Sequence, residues 1–208
     1  MKLILVIHIC MQNLQFPLQF NFKIGTLAND FEATDASGHT VAYARQKMFK
    51  LKEDIVIYPD RNKTKELYRI KADRWLDFSA AYKFTDESGQ EIGKVARKGW
   101  RSIWKARYEV IDDNERVQYS ITERNGWVKV MDAMFSEIPI LGIFTGYVFN
   151  PSYSVCNSQD EELIRLKKKP SFWGRRFELT EIKKVDADDE VRVMLALMVM
   201  ILLERRRG

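Results

Sequence analysis

The chain has 208 residues, 46% hydrophobic and 30% charged, with a formal net charge of +5 and a pI near 9.1. That balance excludes a disordered, collagen-like or low-complexity chain. Two cysteines without C-x-x-C or zinc-ligand spacing exclude a disulfide framework and a structural zinc site.

Met1–Met11 reads MKLILVIHICM, one lysine followed by an apolar run that His8 interrupts. Gln12, Asn13 and Leu14 follow where a secretory signal has a small-x-small cleavage site, and Ile9 before Cys10 does not suit lipoprotein processing. Residues 1–13 therefore read as an N-terminal extension or a first strand, and residues 14–208 as a single domain. The cysteine usage makes a reducing, cytoplasmic compartment the default.

The middle of the chain is written in strands. Tyr68, Ile70 and Ala72 alternate with Arg69 and Lys71. Trp104, Ala106, Tyr108 and Val110 alternate with Lys105, Arg107 and Glu109. Val117, Tyr119 and Ile121 alternate with Gln118, Ser120 and Thr122, and Ile164 and Leu166 with Arg165 and Lys167. A period of two with one apolar face is the pattern of an antiparallel sheet that sees water on one side. Turn signals such as Asp112-Asp113-Asn114 and Asn125-Gly126 separate the runs at the spacing of sandwiches and barrels.

One turn recurs. Thr34-Asp35-Ala36-Ser37-Gly38 matches Thr85-Asp86-Glu87-Ser88-Gly89, after which Val41 corresponds to Ile92 and Lys47 to Lys98. A weaker copy runs Cys156-Asn157-Ser158-Gln159-Asp160, followed by Leu163, Leu166 and Lys169. Asp bonds its own backbone and Gly accepts positive φ, so the repeat reads as a hairpin turn and not as an active site.

The C-terminus carries the decisive element. Val193–Leu203 reads VMLALMVMILL, eleven apolar residues between an acidic approach (Asp186, Asp188, Asp189, Glu190) and Arg205-Arg206-Arg207. Strong helix formers with acid before and base after them predict a helix over about 187–205. It is apolar on every face and so must be buried all round, in a protein core or, as the alternative reading, as a short tail anchor in a thin bilayer. Spanning a membrane takes about 20 apolar residues, whereas about 10 to 14 mark a core helix. The reading is a mainly β protein: a closed antiparallel barrel around a buried apolar C-terminal helix, the closure leaving no free sheet edge.

The segments FPLQFNFKIGTLANDFEATDASG (16–38), KADRWLDFSAAYKFTDESGQEIGKVARKGWRSIWKARYEV (71–110), FTGYVFNP (144–151) and the closing apolar helix resemble the LURP-one-related proteins, which belong with the Tubby C-terminal-like and phospholipid-scramblase-like folds. The resemblance covers most of the chain and implies about 12 strands in the barrel. It also brings functional associations: phosphoinositide headgroups for Tubby-like domains, lipid movement and calcium for scramblase-like members, and plant defence for LURP-one members. No acidic D-x-[DN]-x-[DN]-G calcium loop occurs here.

Catalytic motifs are missing. There is no G-x-S-x-G, P-loop or H-E-x-x-H. His39 stands where the second repeat has Gln90, so it reads as a solvated turn residue, and His8 lies in an apolar run. The expectation is a protein that is not an enzyme, with no catalytic residues, no metal and no cofactor. Basic residues gather in two stretches with aromatics among them, Trp100 and Trp104 in one and Phe172 and Trp173 in the other. Arg97, Lys98, Arg101, Lys167, Lys168, Lys169, Arg175 and Arg176 are the candidate headgroup-binding residues, because rings and cations together suit a membrane interface. The expected partner is anionic membrane lipid, met peripherally. A protein partner is the alternative, and nucleic acid bound by stacking and charge ranks behind both.

Overall fold

The computed structural model describes residues 14–22, 29–46, 54–73, 81–98, 107–124, 152–170 and 176–206. Twelve strands follow in chain order: β1 (Leu18–Phe22), β2 (Asn29–Thr34), β3 (Thr40–Gln46), β4 (Asp54–Tyr58), β5 (Tyr68–Ala72), β6 (Ala81–Asp86), β7 (Glu91–Lys98), β8 (Arg107–Ile111), β9 (Val117–Glu123), β10 (Ser152–Cys156), β11 (Glu162–Lys169) and β12 (Arg176–Glu181). One helix among the described residues, α1 (Ala187–Arg206), follows the strands. Each strand pairs antiparallel with its sequence neighbours, and β1 pairs with β12, which closes the barrel. The closed barrel expected from the alternating runs is the one observed.

Odd-numbered strands run from one end of the barrel to the other and even-numbered strands return. The two ends therefore differ. The turn end carries the connections 35–39, 59–67, 87–90, 112–116, 157–161 and 182–186. Four of these are the same turn. Asp35 Oδ1 accepts the N–H groups of Ser37 and His39, Asp86 Oδ1 those of Ser88 and Gln90, Asp112 Oδ1 those of Asn114 and Arg116, and Asn157 Oδ1 those of Gln159 and Glu161, all at 2.8–3.0 Å. The fourth residue of each has positive φ: Gly38 at 83°, Gly89 at 85°, Glu115 at 63° and Asp160 at 59°. A register shift follows at the same place in all four hairpins, as a bulge beside the turn requires. The repeat thus has a fourth copy at Asp112, which the sequence marked only as a turn. Asn125-Gly126 lies outside the described residues.

The core is the inside of the barrel. Phe20, Phe31, Ile55, Ile57, Ile70, Phe84, Val95, Val110, Ile121, Val155, Ile164, Leu166, Phe177 and Leu179 are buried together with Val193 to Leu202 of α1. Each large side chain so buried contributes about 1.5–3 kcal/mol, largely offset by chain entropy. Val117 departs from the expected inward set. It opens β9 at the turn end and is 52% exposed.

The helix enters at the turn end. The Asp186 carbonyl accepts the N–H of Asp189 at 2.9 Å and of Glu190 at 3.0 Å, and acids fill the first turn, where the helix dipole favours them. The Tyr119 hydroxyl donates to Asp189 Oδ2 at 2.8 Å, Arg192 pairs with Asp189, and Arg192 Nη1 donates to the Ile92 carbonyl at 3.3 Å. Gly93 makes room for that arginine. A Cβ there would stand 2.5 Å from the Ile111 carbonyl oxygen and 2.8 Å from Arg192 Cδ. Twenty helical residues span about 30 Å, more than the tilted strands cover, so α1 crosses the barrel and finishes at the opposite end. That end is called the helix-exit end below.

Candidate functional site: the helix-exit end

The strand pleat decides which candidate cations share a face. In β11, Ile164, Leu166 and Lys168 point inward, whereas Arg165, Lys167 and Lys169 point out. Lys168 is half-buried and stands opposite Phe177, which is buried. In β7, Arg97 follows Gly93 and Val95 on the inward face, half-buried and opposite the buried Tyr108. Lys98 ends β7 in register with Arg107. Arg176 opens β12 opposite Lys169 and is exposed. Arg101, Arg175 and the aromatics Trp100, Trp104, Phe172 and Trp173 lie outside the described residues.

The outer face of β11 and β12 therefore brings Lys167, Lys169 and Arg176 together. Strands β8, β9 and β10 separate this group from β7. Lys169 and Arg176 are directly paired like charges, an arrangement that costs energy in a sheet unless an anion relieves it. Glu178 offers partial relief. Its carboxylate takes Lys169 Nζ at 2.6 Å and the Gln19 amide at 3.0 Å, and the lysine hydrogen bond holds its pKa below the usual glutamate value. Lys167 stands directly opposite Glu178 and its charge helps to lower that pKa without a close ion pair, and Arg176 enters no salt bridge among the described residues.

Neighbouring arginines are occupied. Glu162 accepts Arg165 Nε at 2.9 Å and Nη2 at 2.6 Å, Arg124 Nη1 at 2.7 Å and the Ser154 hydroxyl at 2.7 Å. The hydrogen bonds from Arg165 lead in pulling the Glu162 pKa down to about 2, with Ser154 and Arg124 adding to them against burial. On the outer wall of β2 to β4, Asp30, Glu32 and Asp54 are buried. The Tyr43 hydroxyl donates to Asp30 at 2.6 Å, and burial followed by that bond raises the Tyr43 pKa to about 12. Arg45 and Lys71, near the ends of β3 and β5, are exposed cations at this same end that the sequence reading did not single out. Their only signal is an outward position one residue before a strand ends.

The opposite end has the other sign. Asp35, Asp86, Glu87, Asp112, Asp113, Glu115, Asp160, Glu161, Asp186 and Asp188 all belong to its turns and to the helix approach. Asp112 is held below the ordinary aspartate value, led by the N–H of Arg116. For Asp86, burial pushes up but the Ser88 hydroxyl and the N–H groups of Gln90, Ser88 and Gly89 prevail, so its pKa is lowered. These carboxylates are consumed by backbone and are not poised for proton transfer.

The other titratable candidates are equally plain. His39 is an exposed turn residue 3.7 Å from Asp35. The Cys156 thiol is half-buried, and burial raises its pKa away from the thiolate. Among the described residues no three His, Cys, Asp or Glu are grouped to hold a metal ion. No helix among them is long and apolar enough to cross a membrane. What the helix-exit end can do is attract anions through exposed cations that are held in no close ion pair.

No curated protein and no solved structure matches this chain. A family model described as LURP-one-related matches residues 40–202, which take in β3 through β12 and α1 as far as its last fully buried turn. With that span matched and the barrel and buried helix in place, the chain belongs to the LURP-one-related family.

Proposed function

We propose that the protein is a non-catalytic peripheral module that binds anionic lipid headgroups at the helix-exit end of its barrel, at the cytoplasmic face of a membrane. The observation that carries this reading is Lys167, Lys169 and Arg176 side by side on adjacent strands, three cations around the single carboxylate of Glu178, on a barrel whose other end is acidic. Cations near an anionic bilayer contribute about 1 kcal/mol each, so a few of them suffice for reversible binding. The sequence adds a second support. All five tryptophans (Trp75, Trp100, Trp104, Trp127 and Trp173) fall between strands whose flanking ends lie at this end. Tryptophan is the residue most at home at headgroup level.

Co-sedimentation with vesicles containing phosphatidylserine tests the reading. Binding is expected at low salt and is expected to fall as salt rises. Lys167→Gln with Arg176→Gln is expected to weaken it at least tenfold without lowering the melting temperature, since both side chains are exposed and no like-charge pair is created. Absence of sedimentation at low salt would leave a protein-binding scaffold as the better account.

A further inference from the structure

We infer that the ligand is an anionic bilayer surface met end-on by a girdle of cations around the whole barrel, not one headgroup held in a pocket; this rests on the lipid-binding reading above. The girdle is drawn by exposed cations that enter no close ion pair, with Arg45, Lys71 and Lys167 facing Asp30, Asp54 and Glu178 across their strand pairs. Arg45 in β3, Lys71 in β5, Arg107 in β8, Lys167 in β11 and Arg176 in β12 are all exposed, and none enters a salt bridge among the described residues. Arg45 and Lys71 are next to last in their strands, Arg107 and Arg176 are first in theirs, and Lys167 is third from the end of β11. By strand direction every one of these positions is at the helix-exit end.

Cations elsewhere on the wall are neutralised. Lys83 pairs with Glu91 at 2.8 Å, Lys94 with Glu115 at 2.6 Å and Arg165 with Glu162 at 2.6 Å. The two other described cations without a carboxylate, Lys63 and Lys184, lie in connections at the turn end. Lys63 sits 5.2 Å from the Tyr43 ring centroid, and Lys184 adjoins the acidic approach to α1. Near the helix-exit end the outward acids Asp30 and Asp54 are instead buried, at 4% and 3% exposure. These two carboxylates are shielded from solvent, whereas Arg45 and Lys71 beside them are exposed.

The distribution around the ring identifies the partner. In the closed strand order, successive members of the set are never more than three strands apart. Twelve strands at about 4.8 Å spacing, tilted by about 40°, make a barrel roughly 24 Å across. Charges act over about 8 Å at physiological salt. No single headgroup can therefore engage both Arg45 and Arg107, and a linear polyanion lying across the end would leave part of the ring unused. A plane of negative charge engages all five at once, and the acidic turn end is directed away from it.

The full chain is tested with two sets of neutralising substitutions. One set is Arg45→Gln, Lys71→Gln and Arg107→Gln, the other Lys167→Gln and Arg176→Gln. Each is measured against phosphatidylcholine vesicles carrying equal fractions of phosphatidylserine or phosphatidylglycerol. Each neutralisation is expected to lower partitioning about fivefold, hence the triple set roughly a hundredfold, with both anionic lipids alike. Wild-type binding by the triple variant, with binding lost only in the β11–β12 pair, overturns the girdle while lipid binding stands. So does strong preference for one headgroup at equal charge. If the unaltered chain binds neither vesicle, the lipid reading itself fails, and binding to a DNA duplex in place of vesicles overturns both.

Discussion

Glu162 shows how much one carboxylate on the barrel wall can gather. It receives both arms of Arg165, a bond from Arg124 and the Ser154 hydroxyl, and its pKa falls from 4.5 to about 2. A depressed carboxylate pKa stabilises the folded state above the unfolded value and loses that contribution as pH falls through the folded value. The stabilisation should therefore be complete above about pH 4.5 and decline toward pH 2. Glu162→Gln is expected to flatten this limb. Chemical denaturation of both proteins across that range checks it, and equal acid slopes would remove Glu162 from the cause. At this scale the sequence also misleads. Lys167-Lys168-Lys169 reads as one basic run, but the pleat sends Lys168 inward beside Phe177 and leaves its two neighbours outside. The β11 alternation signals this only once the strand is known to continue to Lys169.

Among the elements, the hairpin turn is the repeated part. Two copies are legible because Asp and Gly stand at the positions that need them, and the third because Asn157 replaces the Asp. The copy at Asp112 is hidden, since Glu115 holds the left-handed position that Gly38 and Gly89 hold elsewhere. A side chain in that conformation costs about 1–2 kcal/mol, and glycine avoids it at some cost in unfolded-chain entropy. Asp160, exposed and at φ 59°, is the cleaner place to measure the difference. Asp160→Gly is expected to stabilise the fold by roughly 0.5–1 kcal/mol, raising the melting temperature by about 2 °C. A lower melting temperature for the variant would mean that the aspartate contributes more to the turn than its strain costs.

For the whole molecule, the barrel and its helix form one core. Val193 to Leu202 are buried against the inward faces of the strands, and the other buried apolar cluster among the described residues, Tyr43, Val56 and Tyr58, is too small to replace them. Truncation before Arg192 is expected to abolish cooperative unfolding and yield an aggregating chain, because twelve strands would be left around an unfilled apolar interior. A truncated chain with a sharp melting transition would show that the sheet holds itself. The apolar run at 193–203, the period-two segments and the Asp-x-x-Gly turns were enough for the sequence alone to determine a closed barrel around a buried helix, since burial and turn formation depend on local pattern. Which cations are presented, and at which end, was decided only in three dimensions. Lys71, Arg45 and Arg176 lie far apart in the chain, and strand direction, pleat and the competition for carboxylates bring them into one ring. A sequence window contains local ion pairs such as Arg165 with Glu162, but not those that join distant strands, such as Arg124 with Glu162 or Lys94 with Glu115.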